Sequence, residues 1–211
     1  MSVPTVPTGA GSAARDRIPA RGDAAIVPDP PAPAVLYTDT RMRHPARWLA
    51  VLRIVVGLWF LKGVVTKLTV VLLGGVLPVP AASARWVETM PRLLTRYAAE
   101  NPFDWFKAFV EHTVIPNAPL WANLTALGEA AVGIGLTLGL WTVLASAVGL
   151  LLSLNYGLAT QHMSPGQQGF HLLLVACMVA FLAARAGREW GLDGWLRRRR
   201  PGSWPARLPL G

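Results

Sequence analysis

Apolar positions gather into four long stretches, separated by short polar or Pro/Gly-marked segments. The first runs from Trp48 to Leu77 and the second from Leu120 to Val143. A third begins directly afterwards and ends before Thr160, and the fourth covers Phe170 to Ala184. Stretches of this kind suit a hydrocarbon core of about 30 Å, crossed by a helix at about 1.5 Å per residue. In the first, Arg53, Gly57, Phe60, Val64 and Lys67 follow at spacings of 4, 3, 4 and 3, which lines them along one helical face. That face is expected to look into a bundle, leaving Lys62 to snorkel or to find a partner elsewhere. Gly74, Gly75, Pro78 and Pro80 are expected to end this helix. In the second stretch Ala131, Gly135 and Gly139 recur every four residues; in the third Ala145, Gly149, Ser153 and Gly157 do so; in the fourth Ala176, Ala180 and Ala184. Small residues at this interval let membrane helices approach closely. The tight link at Gly139-Leu140-Trp141 makes the second and third stretches an antiparallel hairpin.

The one sizeable connection, residues 79–118, reads as a loop with a short amphipathic helix. Asn101-Pro102 with Asp104 is a helix start, and Phe103, Phe106 and Val110 recur at helical spacing. Such a helix lies at the membrane interface or packs as a lid on the bundle ends. Trp48, Trp121 and Trp141 fall near span ends, as in an aromatic belt. The fold class is therefore an all-α membrane protein, a four-transmembrane-helix bundle with an extracytoplasmic amphipathic helix in the first loop. Three regions follow. Residues 1–45 are rich in Pro and Ala and read as a disordered cytoplasmic tail; 46–196 form the transmembrane domain; 197–211 form a basic cytoplasmic tail. The Arg21-Gly22-Asp23 triplet is read as chance, and Gly187 to Leu196 as amphipathic.

Charge fixes the expected orientation. Of the 211 residues 53% are hydrophobic, and mean hydropathy is +0.40, too apolar for an ordinary soluble domain. The net charge is +9, with seven Arg within residues 1–53 and seven more from Arg185 onward. The 79–118 connection balances four basic against four acidic residues. Both termini are therefore expected on the cytoplasmic side of the inner (plasma) membrane. The basic residues flank apolar spans and suit lipid headgroups, Arg197–Arg200 above all; no basic-aromatic motif points to nucleic acid. One cysteine, Cys177, excludes a disulfide within the chain and reads as a packing residue.

Candidate chemistry centres on Glu129, an ionisable residue near the middle of the second stretch. A carboxylate there costs about 3 kcal/mol to insert and calls for a basic partner. Lys67 lies at a matching depth, about 6–7 Å to the outer side of the midplane at 1.5 Å per residue. Asn123, Asn155, Tyr156 and His171 come from the outer halves of the three later spans. Together these residues describe a polar pocket, roofed by residues 79–118, that could hold a quinone headgroup or a small polar substrate. Glu129 and Lys67 are the candidate catalytic pair; the other four are candidate quinone or substrate contacts. Arg53, Gly57, Gly135 and Gly149 are structural candidates. The alternative is a hydrogen-bonded core in which Glu129 and Lys67 fix register and bind nothing. His162 and His171 are nine residues apart, off a single helical face, so paired haem ligation requires folding back. No His/Glu/Cys set has metal-ligand spacing. The Asn123-Leu124-Thr125 sequon lies inside a span.

From Arg53 to Leu196 the chain resembles the DoxX/DoxD-like membrane proteins. The resemblance rests on the R-x3-G-x2-F opening at Arg53, Gly57 and Phe60, on NPFDWFKAF and VIPNAPLWANL, on G-E-x3-G-x-x-L-x-x-G from Gly128, and on GREWGLDGWL from Gly187. It implies a four-helix membrane bundle. Some members are small subunits of thiosulfate:quinone oxidoreductase, and others join membrane redox or stress-protection assemblies. The expectation is an accessory subunit of a quinone-linked membrane redox system, with quinone as cofactor. Its partners would be the lipid bilayer and a second oxidoreductase subunit or soluble redox protein, with a homo-oligomer left open. The rival is a non-enzymatic scaffold that recruits a redox or stress-protection partner. A solute carrier ranks third, because no span is broken at its middle and no inverted repeat shows.

Overall fold

The computed structural model describes residues 44–199. The expected tail up to residue 43, the Arg21-Gly22-Asp23 triplet and the chain beyond residue 199 lie outside the described residues. The protein is mostly helical. Helix α1 spans Pro45–Lys67, with proline in the first turn, where its missing N–H costs nothing. Strands β1 (Leu68–Leu73) and β2 (Leu77–Ala82) follow, then α2 (Ala84–Ala99), α3 (Asp104–Phe109), a π-helical turn at Val110–Val114, and α4 (Ala118–Leu138). Helix α5 covers Thr142–Thr160 and α6 Pro165–Ala184; a 3-10 turn at Ala186–Arg188 leads to α7, Leu192–Arg199. Three of these, α1, α5 and α6, are long and apolar enough to cross a membrane. Helix α4 has a similar length, 21 residues, but carries Asn123 and Glu129.

Two expectations are corrected in the first half. The first apolar stretch is not one helix to Leu77. The helix stops at Lys67, and the remainder is an antiparallel hairpin pairing Leu68 with Ala82 through Leu73 with Leu77. An apolar run does not declare its own period, and here Leu-Thr-Val-Val-Leu-Leu favours a strand. Gly74 and Gly75, at φ +63° and +77°, make the turn instead of ending a helix. Pro78 and Pro80 fit the hairpin because they face Leu72 and Val70 across it and lack only N–H groups.

Residues 79–118, read as a loop, hold a second full helix, α2. Ser83 caps it, its hydroxyl accepting from the Trp86 N–H. Trp86, Val87, Met90, Leu94 and Tyr97 pack inward at helical spacing. Pro91 inside the helix masks that pattern in the sequence. The helix expected after Asn101-Pro102 begins at Asp104. Asn101 accepts from the Phe103 N–H and donates to the Leu158 carbonyl, which ties this segment to α5.

Small residues set the helix contacts, though not all the expected ones. Gly57 lies so close to α4 that a Cβ would stand 2.6 Å from the Thr137 backbone nitrogen. Gly133 receives Leu61, Gly135 receives Ala145, and Gly149 receives Met178. Ala131 is exposed, and so are Ala176, Ala180 and Ala184. Helix α6 instead packs through Leu174, Cys177, Met178 and Phe181, joining Phe60, Val132 and Leu136 in the main core. In lipid such contacts act through close packing and polar bonds more than through removal of apolar surface from water.

The Arg-rich end is closed by the segment after α6. Helix α4 ends at Leu138, at the expected Gly139-Leu140-Trp141 link, with Gly139 in the left-handed conformation at φ +64°. Asp193 accepts from the Trp141 N–H at 2.8 Å and the Thr142 N–H at 2.9 Å, capping α5 from a distant part of the chain. Its own N–H donates to the Gly139 carbonyl. Arg53, fully buried, donates to the carbonyls of Leu136 and Trp190. Trp141 and Trp190 sit at φ 47° and 48°, strained for tryptophan, and these bonds hold both in place.

Candidate functional site

At the other end of α1, about four turns from Arg53 on the same face, the sequence places a lysine in the last turn. Its neighbours there are Gly63 on its own helix and Glu129 on α4. Lys67 Nζ donates to both carboxylate oxygens of Glu129, at 2.6 and 2.8 Å. The Glu129 side chain is 6% exposed and that of Lys67 20% exposed. Tyr156 on α5 donates its hydroxyl to Glu129 Oε1 at 2.6 Å, so this oxygen accepts from two helices at once. The short distances are those of charge-assisted bonds. The ammonium also lies over the Trp86 ring, 4.5 Å from its centroid, and 5.8 Å from that of Tyr156. Aromatic faces attract a partly desolvated cation. Gly63 permits the approach, since a Cβ there would stand 2.9 Å from Glu129 Oε2.

His171, in the second turn of α6, completes the cluster. It is 9% exposed, its ring centroid is 6.3 Å from that of Tyr156, and its Nδ1 is buried with no hydrogen-bond partner among the described residues. Burying an unpaired polar atom costs about 1–3 kcal/mol, so a group of this kind asks for a ligand or a function. Lys67, Tyr156 and His171 border a cavity of about 240 Å³, closed by rings from outside the long helices, among them Trp86, Phe106 and Phe109. Asn155 and Thr125 also line it. The walls are largely apolar with a few polar groups, the usual make-up of a small-molecule site.

Of the six candidate site residues, five gather here: Glu129, Lys67, Tyr156, His171 and, at the rim, Asn155. Asn123 does not. Its side chain accepts from the Ala82 N–H at 2.8 Å and donates to the Pro119 carbonyl, fastening the hairpin to α4. Its position six residues before Glu129, about 9 Å along α4, puts it beside the hairpin instead of the cluster. The structural candidates Arg53, Gly57, Gly135 and Gly149 all sit at helix contacts away from this cluster. Sequence reasoning missed Trp86, because α2 was not recognised. It also missed Asp193, whose signal was the Gly-Leu-Asp-Gly segment that opens α7 between two tryptophans. Lys62 is exposed and lies over the Trp59 ring at 5.1 Å.

A family model described as TQO small subunit DoxD matches residues 48–205, which takes in every element of the bundle and both ends of the cluster. No curated protein and no solved structure matches the chain.

Proposed function

The chain belongs to the DoxD family, and on that premise we propose that it is the membrane subunit of a quinone-linked redox system, of the thiosulfate:quinone oxidoreductase type. The carrying observation is convergence. Four helices, α1, α4, α5 and α6, each deliver one polar side chain to a single point beside an aromatic-walled cavity. In this reading α4 is the fourth span, tolerated in lipid because its carboxylate is paired. Both ends of the chain face the cytoplasm, and α2 with α3 roofs the site on the outer side, α3 as the interfacial amphipathic helix.

The residues present fit a quinone headgroup. His171 Nδ1 has no hydrogen-bond partner among the described residues, and the cavity walls mix aromatic rings with aliphatic side chains around a few polar groups. Lys67 and His171 would hold the ring oxygens, with Asn155 at the rim. A quinone bound here would supply a two-electron, two-proton acceptor. Glu129, joined to Lys67 and Tyr156 by short bonds, is placed to take or release a proton without leaving the bundle. The roof rings would narrow the access of water to the site. A second, electron-delivering subunit or soluble partner would complete the system.

Purified protein in lipid nanodiscs should carry extractable quinone or bind it on titration, and Tyr156→Phe with His171→Ala should lose it. Absence of binding would overturn the reading. One observation favours the scaffold alternative: Val70, Leu72, Leu73, Val76 and Leu77 of the hairpin are all exposed. Copurification of a redox enzyme with a protein that binds no quinone would select it.

A further inference from the structure

The polar cluster is a partition, with a second chamber on its far side. This chamber, about 330 Å³, is bordered by Trp59, Lys62, Gly63 and Thr66 of α1 and by Phe170 and Leu174 of α6. Lys67, Tyr156 and His171 border both chambers, but Glu129 borders only this one. Trp86 and Asn155 border only the roofed one. The carboxylate is thus reached between α1 and α6, and the aromatic roof is reached from the other side.

Its outer rim consists of α1 side chains that face away from the bundle. Trp59 is 51% exposed, and Lys62 and Thr66 are exposed as well. Both helices flanking the opening are long and apolar enough to cross a membrane. The exposed surface continuing along them is apolar: Leu52, Val55 and Leu58 on α1, Leu172 and Leu173 on α6. An opening in such a surface gives onto lipid hydrocarbon, not onto water. Trp59 and Phe170 meet edge to face at its lip, 5.5 Å between centroids. Lys62 brings a cation to the lip, its ammonium over the Trp59 ring.

We propose that this second chamber is the lateral doorway of the site, and that its ligand is an amphiphile dissolved in the bilayer. The head reaches Glu129, Lys67 and His171 while an apolar tail stays in lipid along Leu58 and Leu173. The proposal rests on the quinone reading and adds the route: the ligand enters from the bilayer between α1 and α6, not through the aromatic roof. Lys62, unplaced by its sequence position, becomes the residue that meets the polar head at the threshold.

The test compares decyl-ubiquinone with the same benzoquinone ring lacking the tail, by quenching of tryptophan fluorescence in nanodiscs. Trp59 reports on the lateral chamber and Trp86 on the roofed one, each identified by loss of its signal in Trp59→Phe or Trp86→Phe. Thr66→Phe fills the doorway from an exposed position. It should slow association of the tailed probe by about tenfold or more, within the range that a steric or conformational obstruction imposes on an on-rate, and leave the tail-less probe unchanged. If Thr66→Phe lowers the yield of folded protein, Thr66→Leu narrows the same doorway with a smaller side chain. Unchanged association of the tailed probe, or quenching by it that does not involve Trp59, would overturn the doorway. Equal slowing of both probes would show an opening indifferent to the tail and would overturn the ligand class. Binding of neither probe to the unaltered protein would instead remove the quinone reading itself, and the doorway with it.

Discussion

Removing Lys67 or Glu129 alone should damage the protein more than removing both. The two make contacts of 2.6 and 2.8 Å with side chains only 20% and 6% exposed, so water screens little of their attraction. At an effective dielectric of about 20, unit charges at this separation attract by about 6 kcal/mol before the cost of desolvating each is subtracted. Losing one partner leaves the other's desolvation uncompensated, at about 3–5 kcal/mol. Tyr156 complicates the picture usefully. Its bond to Glu129 Oε1 survives Lys67→Met and keeps about 1.5–3 kcal/mol of charge-assisted bonding with the stranded carboxylate. Lys67→Met should therefore be the milder single change and Glu129→Leu the harsher, which strands both the ammonium and the tyrosine hydroxyl. The double variant Lys67→Met/Glu129→Leu should recover most of the loss, giving a coupling that exceeds the larger single loss of about 3–5 kcal/mol. The assay is equilibrium unfolding in mixed micelles, followed by helix signal, on all four proteins of the cycle. Coupling below about 0.5 kcal/mol, the level expected of independent sites, would refute the reasoning. The cycle also bears on function: a stable double variant that still binds quinone makes the pair structural, whereas a stable one that does not makes it part of the site.

Other expected outcomes follow from single contacts. Arg53→Leu should cost no more than Arg53→Ala despite its size, and Arg53→Lys should recover only part, because one ammonium cannot serve the Leu136 and Trp190 carbonyls as a planar fork does; melting temperatures of the three rank them. Asp193→Ala removes both acceptors at the start of α5 and should destabilise by about 1–2 kcal/mol in denaturant titration, with Asp193→Asn intermediate. Gly57→Ala forces a methyl group toward the Thr137 backbone and should cost about 1–3 kcal/mol, read as a lowered thermal midpoint. Asn123→Ala should loosen the hairpin, seen as faster proteolysis between residues 68 and 82, with ligand binding unaltered; Asn155→Ala should do the reverse.

The pairing of Lys67 with Glu129 was legible in the sequence because both constraints on it are one-dimensional. Helical period fixes which face a residue occupies, and rise per residue fixes its depth, so two charges on interior faces at one depth can be matched without knowing the fold. The same arithmetic put Tyr156 and His171 at this level. It failed for Asn123, about 9 Å along α4 from Glu129, because which neighbour a side chain meets depends on how the elements are packed. It failed for Ala176, Ala180 and Ala184 for the same reason: a stripe of small residues is necessary for close approach but does not say which stripe is used. The hairpin after Lys67 escaped because an uncharged apolar run is compatible with helix and strand alike, and only local pairing between Leu68–Leu73 and Leu77–Ala82 decides. Helix α2 was hidden by Pro91, a residue that lowers helical preference locally but is outweighed by Trp86, Met90 and Leu94 finding a surface to cover. Asp193 and Arg53, far apart in sequence, close the opposite end through bonds to backbone groups. Backbone acceptors carry no sequence signature, so side chains that seek them reveal their role only in three dimensions. The sequence thus determined where along each helix the polar groups lie, and the tertiary structure alone decided which way they turn and what they enclose.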